Sequence, residues 1–466
     1  MTDIKTGSGA GDFLVVLDRH SDSPLHHQLE AAIRDAIRSG RMKHGSQLPS
    51  SRVLADDLGV SRGVVIEAYQ QLTAEGYILS RPGGYTQVSA TQNQIETAHE
   101  PAPATRPRID MLYGRPDVSQ FPRAAWARAA RRVVAEAPTD RLIYLDGFGA
   151  PELREALVNH LNRVRGTWAS PENILICSGF AQAFSLISQF FIASGRQVLA
   201  VEDPSFDDVR PVASAAGLEI IGIPVDESGL DVTELERSRA RAVLVTPAHQ
   251  LTGAVLSPER RTALIEWAHR TGGLIVEDDY DAEYRYDQEP VGALQGLAPD
   301  RVIYTGSASK TLAPGLRMGW IVAPAQVTER LAEAKVAADR GSSIFDQLTF
   351  ADFLNSGEFN RHLRRMRPIY RSRRDVLLRE LTARLPELRP TGISAGLHLM
   401  AWLPTGMDEK AIVETAASRG LGLNGLGPHR IAESASAGLI FGYAKPDAAA
   451  IVEGVAILAS VIHAAE

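Results

Sequence analysis

Cysteine is nearly missing from this chain: among 466 residues only Cys177 carries a thiol. One thiol cannot close an intrachain disulfide, and this one lies inside the apolar run Ile174-Leu-Ile-Cys177, so a reducing cytoplasm is the natural setting. Long hydrophobic runs are missing too. Phe13-Leu-Val-Val-Leu17 is far too short to span a bilayer, and the N-terminus has no apolar core of signal-peptide length, which points to a soluble, intracellular protein. There is no excess of basic charge either. Forty-nine Lys and Arg against 56 Asp and Glu leave a net charge of −7, so any nucleic-acid binding must come from a local surface. No internal repeat is found. What the chain does have is length enough for two or three domains.

The first ninety residues carry a helical pattern followed by a hairpin. Leu25, Leu29, Ile33 and Ile37 recur at fourfold spacing, and Gly40 follows as a stop, so a first helix is expected to end near Ser39. Leu48-Pro49-Ser50-Ser51-Arg52 supplies a start signal before a second helix over Val53–Leu58. Gly59-Val60-Ser61 then breaks that helix and caps a third, from Arg62 toward Ala74, with Val65, Ala68, Tyr69 and Leu72 facing inward. Two short helices joined in this way are the helix-turn-helix signature. The stretch from Glu75-Gly76-Tyr77 to Val88, with Pro82-Gly83-Gly84 at its middle, reads as two short strands around a turn, a wing.

Leu-Pro-Ser-Ser-Arg, Leu-Gly-Val-Ser-Arg and Glu-Gly-Tyr in this order and spacing resemble the winged helix of the GntR regulator family over residues 24–88. The resemblance implies that Ser50, Ser51, Arg52, Ser61, Arg62 and Gly63 meet phosphates or base edges of double-stranded DNA, and that Arg81, Gly83 and Gly84 enter the minor groove. The chemistry suits the task, because hydroxyls and helix N-termini position the DNA backbone while arginine reads guanine bidentately. Residues 24–88 hold seven Lys and Arg and six Asp and Glu, so affinity is expected to lean on a second copy of the module reading a paired half-site.

From Ser89 to Pro107 the composition turns to Gln, Asn, Thr, Ala and Pro without apolar periodicity, which reads as a polar tether. The expected organisation is therefore a DNA-binding domain over 1–88, a linker over 89–107 and a large domain over 108–466. Beyond residue 108, apolar runs of strand length alternate with helical segments, the pattern of an α/β fold with a mainly parallel sheet. Five runs, ending near Cys177, Val201, Val245, Val276 and Thr305, each deliver polar residues into a loop. In such sheets the loops at the carboxyl ends of strands converge on one pocket.

The most telling loop is Ser307-Ala-Ser-Lys310-Thr-Leu-Ala-Pro-Gly-Leu-Arg317-Met-Gly-Trp320. A lysine there can form a Schiff base, while two hydroxyls and an arginine can hold a phosphate, the equipment of a pyridoxal phosphate (PLP) site. The other loops match. Ser178-Gly179-Phe180 opens a helix and offers N–H groups to the phosphate. Asp278 can keep a pyridine nitrogen protonated, Tyr280 can donate to the ring's phenolate oxygen, and Phe206 can stack on the ring. Five carboxylates within 277–283 lack calcium-loop spacing, and Gly306-Ser-Ala-Ser-Lys310-Thr311 lacks the glycine that precedes the lysine of a nucleotide-binding loop, so neither a metal site nor an NTPase is expected. The seven arginines between Arg361 and Arg374 read as a solvated or salt-bridged helix face.

With these loops the large domain resembles fold-type I aminotransferases, and joined to the GntR-like head the whole chain from Pro24 onward resembles the MocR family of PLP-dependent transcription regulators. The resemblance implies Lys310 as the Schiff-base lysine, Asp278 as the pyridine-nitrogen partner and Tyr280 as the phenolate neighbour. Ser307, Ser309 and Arg317 join Gly179 and Phe180 at the phosphate, and His249 takes the place near the ring oxygen where enzymes usually have asparagine. Tyr144 is a candidate to reach a neighbouring subunit's cofactor in a homodimer. One departure bears on the reaction. In Gly438-Leu-Ile440-Phe441-Gly442-Tyr443, Ile440 stands where aminotransferases place the arginine that clamps a substrate carboxylate. That loss argues against efficient amino-acid transamination, and Arg210 remains a candidate anion contact for an effector. The family implies either PLP itself as the signal, in control of vitamin B6 supply, or an amine or amino acid. The alternative is a working aminotransferase with an accessory DNA-binding head.

Overall fold

The computed structural model describes residues 15–80, 85–89, 107–280, 282–286, 292–392, 396–432 and 436–464. Contacts divide the chain into two compact units, residues 1–104 and 105–466. The tether expected over 89–107 falls almost wholly outside the described residues, as do Arg81, Gly83 and Gly84 of the wing.

The first unit contains α1 (Leu25–Arg38), α2 (Ser51–Leu58) and α3 (Arg62–Ala74), with β1 (Gln47–Leu48), β2 (Ile78–Ser80) and β3 (Thr86–Val88). The helical stripe holds: Leu29, Ile33 and Ile37 bury against Val65, Ala68 and Leu72. α2 starts at Ser51, two residues earlier than expected, because the Ser50 hydroxyl accepts from Val53 N at 3.3 Å and so caps the helix. Gly59 ends it in the left-handed region, where only glycine sits without strain. The wing pairs β2 with β3, and the sheet is widened by β1, two residues too short to carry a pattern of their own. The Tyr69 hydroxyl donates to Pro49 O at 2.9 Å and locks α3 onto the entry of α2.

The second unit is built on an eight-stranded sheet in the order 174–177, 319–322, 302–307, 274–279, 242–245, 198–203, 219–226, 229–230. The central pairs are parallel, as expected; strand Gly319–Val322 runs antiparallel to both neighbours and is one the sequence pattern does not single out. Strands 174–177, 198–203, 242–245, 274–279 and 302–307 all point the same way, so their carboxyl ends open along one edge. Their side chains are buried on both faces, one against Phe184, Ile187 and Leu331, the other against Leu264, Trp267 and Leu294 or against the large core around Trp320 and Phe350. Such double burial is why these runs read as continuous apolar stretches rather than alternating ones.

A second, antiparallel sheet of Arg389–Thr391, His398–Trp402, Gly438–Gly442 and Asn424–Gly425 forms the C-terminal lobe. The unit's first strand, Ile109–Asp110, pairs with Leu421–Gly422 of this lobe, and Gly442 N donates to Met111 O at 2.8 Å. That return carries Tyr113 and Gly114 to the edge of the large sheet. The arginine-rich helix, Glu358–Arg384, is held by protein groups: Arg373 pairs with Asp117 at 2.9 Å, Arg361 with Glu358 at 2.6 Å, and Arg367 donates to Glu283 O at 2.8 Å. No described helix is long and apolar enough to cross a membrane.

Candidate cofactor site and DNA-binding surface

Four of the five loops expected to converge line one cleft of about 190 Å³: Phe180, Phe206, Asp278, Tyr280, Ser307, Ser309, Lys310 and Arg317 all face it. Strand register explains the convergence. Asp278 lies opposite Thr305 in the parallel ladder, so the carboxylate and the turn bearing Lys310 leave adjacent strands at the same level. Thr305 Oγ1 donates to Asp278 Oδ1 at 3.4 Å, and Asp278 is 8% exposed.

Lys310 Nζ donates to Gly114 O at 2.7 Å and sits 4.9 Å from the centre of the Tyr280 ring. Gly114 has φ +73°, and a Cβ there would stand 2.9 Å from the Tyr280 hydroxyl and 3.2 Å from Lys310 Nζ. Only glycine lets the backbone come this close to the amine.

At the other end, Arg317 adopts the left-handed conformation (φ 48°) and its Nη2 donates to Ser178 O at 2.5 Å. Gly179, with φ +82°, is the N-cap of the helix Phe180–Ala193, and a Cβ on it would lie 3.0 Å from the Arg317 guanidinium. A helix N-terminus, an exposed guanidinium and two serines thus gather at one point, the donor set an anionic phosphate requires. With the amine, the carboxylate and the phenol at the opposite end, the residues present fit pyridoxal phosphate.

The fifth loop departs from expectation. His249 lines a smaller neighbouring pocket with Glu202, Ser205, Thr246 and Gln250, which shares the walls Phe206, Val209 and Asp278 with the main cleft. Its Nδ1 accepts from Thr252 N at 3.0 Å, so the proton sits on Nε2, which donates to Pro204 O at 2.8 Å. Burial pushes its pKa down to about 4. Both nitrogens being committed to the protein, the ring has no N–H left for an asparagine's role at the cofactor oxygen. Below it, Glu202 accepts from Thr246 N and Oγ1, and burial raises its pKa to about 8. Arg210, early in the helix Val209–Ala216, lines neither pocket, and its Nε and Nη2 are buried with no hydrogen-bond partner among the described residues.

Sequence reasoning missed Tyr113, Gly114, His398 and His429. The Tyr113 ring makes edge contacts with Phe206 (6.0 Å), His398 (5.4 Å) and His429 (5.3 Å). It also packs against a small apolar cluster of Leu251, Met400, Leu426 and Ile440, in which Ile440 is fully buried. His398 donates from Nε2 to Gln250 O, and burial lowers its pKa to about 4. No local signal marks these residues, since Gly114 meets Lys310 across 196 positions. Tyr144 is 83% exposed, beside exposed Ile143 and Leu142.

In the first unit, Arg52, Ser61, Arg62 and Gly63 are exposed at the starts of α2 and α3. The structure gives the two serines work of their own: Ser50 caps α2, and Ser51 Oγ accepts from Arg62 Nε at 3.3 Å, which fixes the arginine at the corner between the helices.

Cleft and head together define a class: an aminotransferase-fold protein that carries a bacterial regulator's winged helix. The model of aminotransferases of class I and II matches residues 110–413, and that of the gntR family of bacterial regulatory proteins matches residues 25–88. The chain is 32% identical over 477 residues to the probable rhizopine catabolism regulatory protein MocR of Rhizobium meliloti, covering 97% of both chains. It is 33% identical to the pyridoxine biosynthesis transcriptional regulator PdxR of Corynebacterium glutamicum, over 94% of this chain and 95% of that protein. Among solved structures, LysN, the α-aminoadipate aminotransferase of Thermus thermophilus complexed with N-(5'-phosphopyridoxyl)-L-leucine, superposes with a TM-score of 0.69 at 27% identity, covering 76% of this chain and 92% of that one. The chain belongs to the MocR family of transcription regulators.

Proposed function

We propose that this protein is a transcription regulator that holds pyridoxal phosphate in its aminotransferase-like unit and binds operator DNA through its winged helix. The observation that carries the reading is the position of Lys310 Nζ, 2.7 Å from Gly114 O at the wall of a cleft shared with Asp278, Phe206 and Arg317. Bound there, the cofactor supplies an aldehyde for an amine and a ring that draws electrons from the bond it forms. Lys310 presents the amine. Asp278 would hold a proton on the ring nitrogen, Tyr280 would donate to the ring oxygen, and Phe206 would stack on the ring. Ser307, Ser309 and Arg317, with the N–H groups of Gly179 and Phe180, hold the phosphate.

Two classes of signal suit such a protein, PLP itself or an amine or amino acid; one relative is named for pyridoxine biosynthesis and the other for rhizopine catabolism. Ile440, sealed in its apolar cluster, supports the cofactor over an α-amino acid, and Arg210 is the candidate contact for an effector that carries an anion. The protein acts as a cytoplasmic homodimer in which two winged helices read paired half-sites. Signal binding regulates DNA affinity only if the two states of the protein hold the signal unequally. A working aminotransferase is the second reading; the fold favours it and Ile440 opposes it.

The test is a titration of the full chain with pyridoxal phosphate, followed by visible absorption in wild type and Lys310→Ala, with affinity for DNA selected from a random pool measured at each point. A lysine-dependent band together with a changed DNA affinity is expected. A band with unchanged affinity would reduce the large unit to a scaffold. Turnover of an amino donor and a keto acid, abolished in Lys310→Ala, would establish the enzyme.

A further inference from the structure

The outward face of α3 carries Arg62, Ile66 and Gln70, four residues apart and therefore in one row. Ile66 is out of place there. It is 36% exposed, and it takes no part in the core of its own unit, where Val65, Ala68, Tyr69 and Leu72 fill the inner face. It lines a groove of about 510 Å³ bounded by the α2 start and the wing strands, whose other walls include Ser50, Ser51, Gln70, Tyr85 and Thr86. Among the described residues no carboxylate lines that groove. The one acid within α3, Glu67, turns instead toward His26, 3.7 Å away. A groove rich in hydroxyls, free of acids and with an arginine at its corner suits a polyanion, but an isoleucine contributes nothing to phosphate binding.

We propose that Ile66 reads the 5-methyl group of a thymine in the major groove. This inference rests on the reading of the first unit as DNA-binding. Of the four bases only thymine presents an apolar group on the major-groove edge, and aliphatic side chains recognise it by contact. Arg62 lies about 6 Å along the helix axis from Ile66, close to two base steps of ~3.4 Å, so a phosphate or base edge held at Arg62 sets the step that Ile66 faces. With only seven Lys and Arg among residues 24–88, specificity in this protein rests on such uncharged contacts more than on a row of arginines.

The experiment uses the full chain with pyridoxal phosphate. A site is selected from a random duplex pool, then resynthesised with deoxyuridine replacing thymidine one position at a time. For wild type, removal of the methyl at a single position is expected to weaken binding about fourfold per methyl group, and so roughly fifteenfold when it is removed from both half-sites. Ile66→Ala is expected to bind the thymidine and deoxyuridine sites alike, while Ile66→Val keeps the difference; thermal unfolding checks that both variants are folded. Deoxyuridine tolerated at every position by wild type overturns the proposal. So does an Ile66→Ala variant that loses binding yet keeps the penalty, which would place Ile66 at a contact with protein. If no sequence is enriched, the DNA-binding reading falls with it; enrichment without a methyl effect sinks Ile66 alone.

Discussion

At the phosphate end of the cleft, Arg317, Gly179 and two serines keep the donors a cofactor needs, brought together by a positive-φ glycine and a guanidinium 3.0 Å from where its Cβ would be. On the Tyr113 side of Lys310 the chemistry is of another kind. There Ile440 is fully buried with Leu251, Met400 and Leu426 where an enzyme of this fold would clamp a carboxylate. On the reading proposed above, one region keeps the donors for a cofactor phosphate while the other offers an apolar cluster rather than a cation. Holding a cofactor and processing an amino acid are thus separable in this fold, because they depend on groups from different strands and different lobes.

The contrast can be broken most completely at the lysine. Lys310→Ala is expected to abolish the absorption band of covalently held pyridoxal phosphate while leaving binding of the phosphate end, measured by equilibrium dialysis, detectable; a surviving band would show that another amine does the work. A large effect is also expected at the opposite pole. Ile440→Arg buries an unpaired cation in the apolar cluster and should cost about 3–5 kcal/mol of stability in thermal unfolding. Added L-leucine should restore part of that loss in the variant and none in wild type, and an unchanged melting temperature would mean that the cluster is not sealed.

Smaller effects sharpen the phosphate end. Gly179→Ala places a side chain at φ +82° beside Arg317, a strain of about 1–2 kcal/mol. A loss of roughly tenfold in affinity for inorganic phosphate or pyridoxal phosphate follows by calorimetry, and equal affinity would remove Gly179 from the cradle. The smallest effect concerns protons. His398 has its pKa lowered to about 4 by burial, against an ordinary 6.5, so its contribution to stability is complete above pH 6.5 and is lost as pH falls toward 4. The stability of wild type relative to His398→Gln should therefore fall over that window, as read by urea unfolding at a series of pH values. A difference that stays flat would mean that the imidazole is charged or solvated in the folded protein.

How much was legible differs between residues for physical reasons. Lys310, Asp278, Tyr280 and Ser307 stand within a few positions of the carboxyl ends of buried parallel strands, and such strands announce themselves as continuous apolar runs. The starts of α2 and α3 were legible because capping is a local contact between a hydroxyl and an N–H a few residues on, as at Ser50. His249 was placed by its position in a motif, but its tautomer is decided by Thr252 and Pro204, and that moved it out of the role expected of it. Tyr113, His398 and His429 carry no local signature; the pairings of Ile109–Asp110 with Leu421–Gly422 and of His398–Trp402 with Gly438–Gly442 help bring their rings together, and two-residue strands are too short to predict.

By itself, then, the sequence determined the two-part architecture and the cofactor class, because hydrophobic period, capping and strand-end loops are encoded over a few neighbouring residues. Only the tertiary structure decided which groups face the amine of Lys310, which hydrogen bonds set the state of His249, and that Ile440 is sealed by side chains from Leu251, Met400 and Leu426. Those outcomes depend on contacts between segments more than three hundred residues apart, such as Tyr113 N donating to the Asn424 side chain, and no local pattern can specify a long-range pairing of that kind.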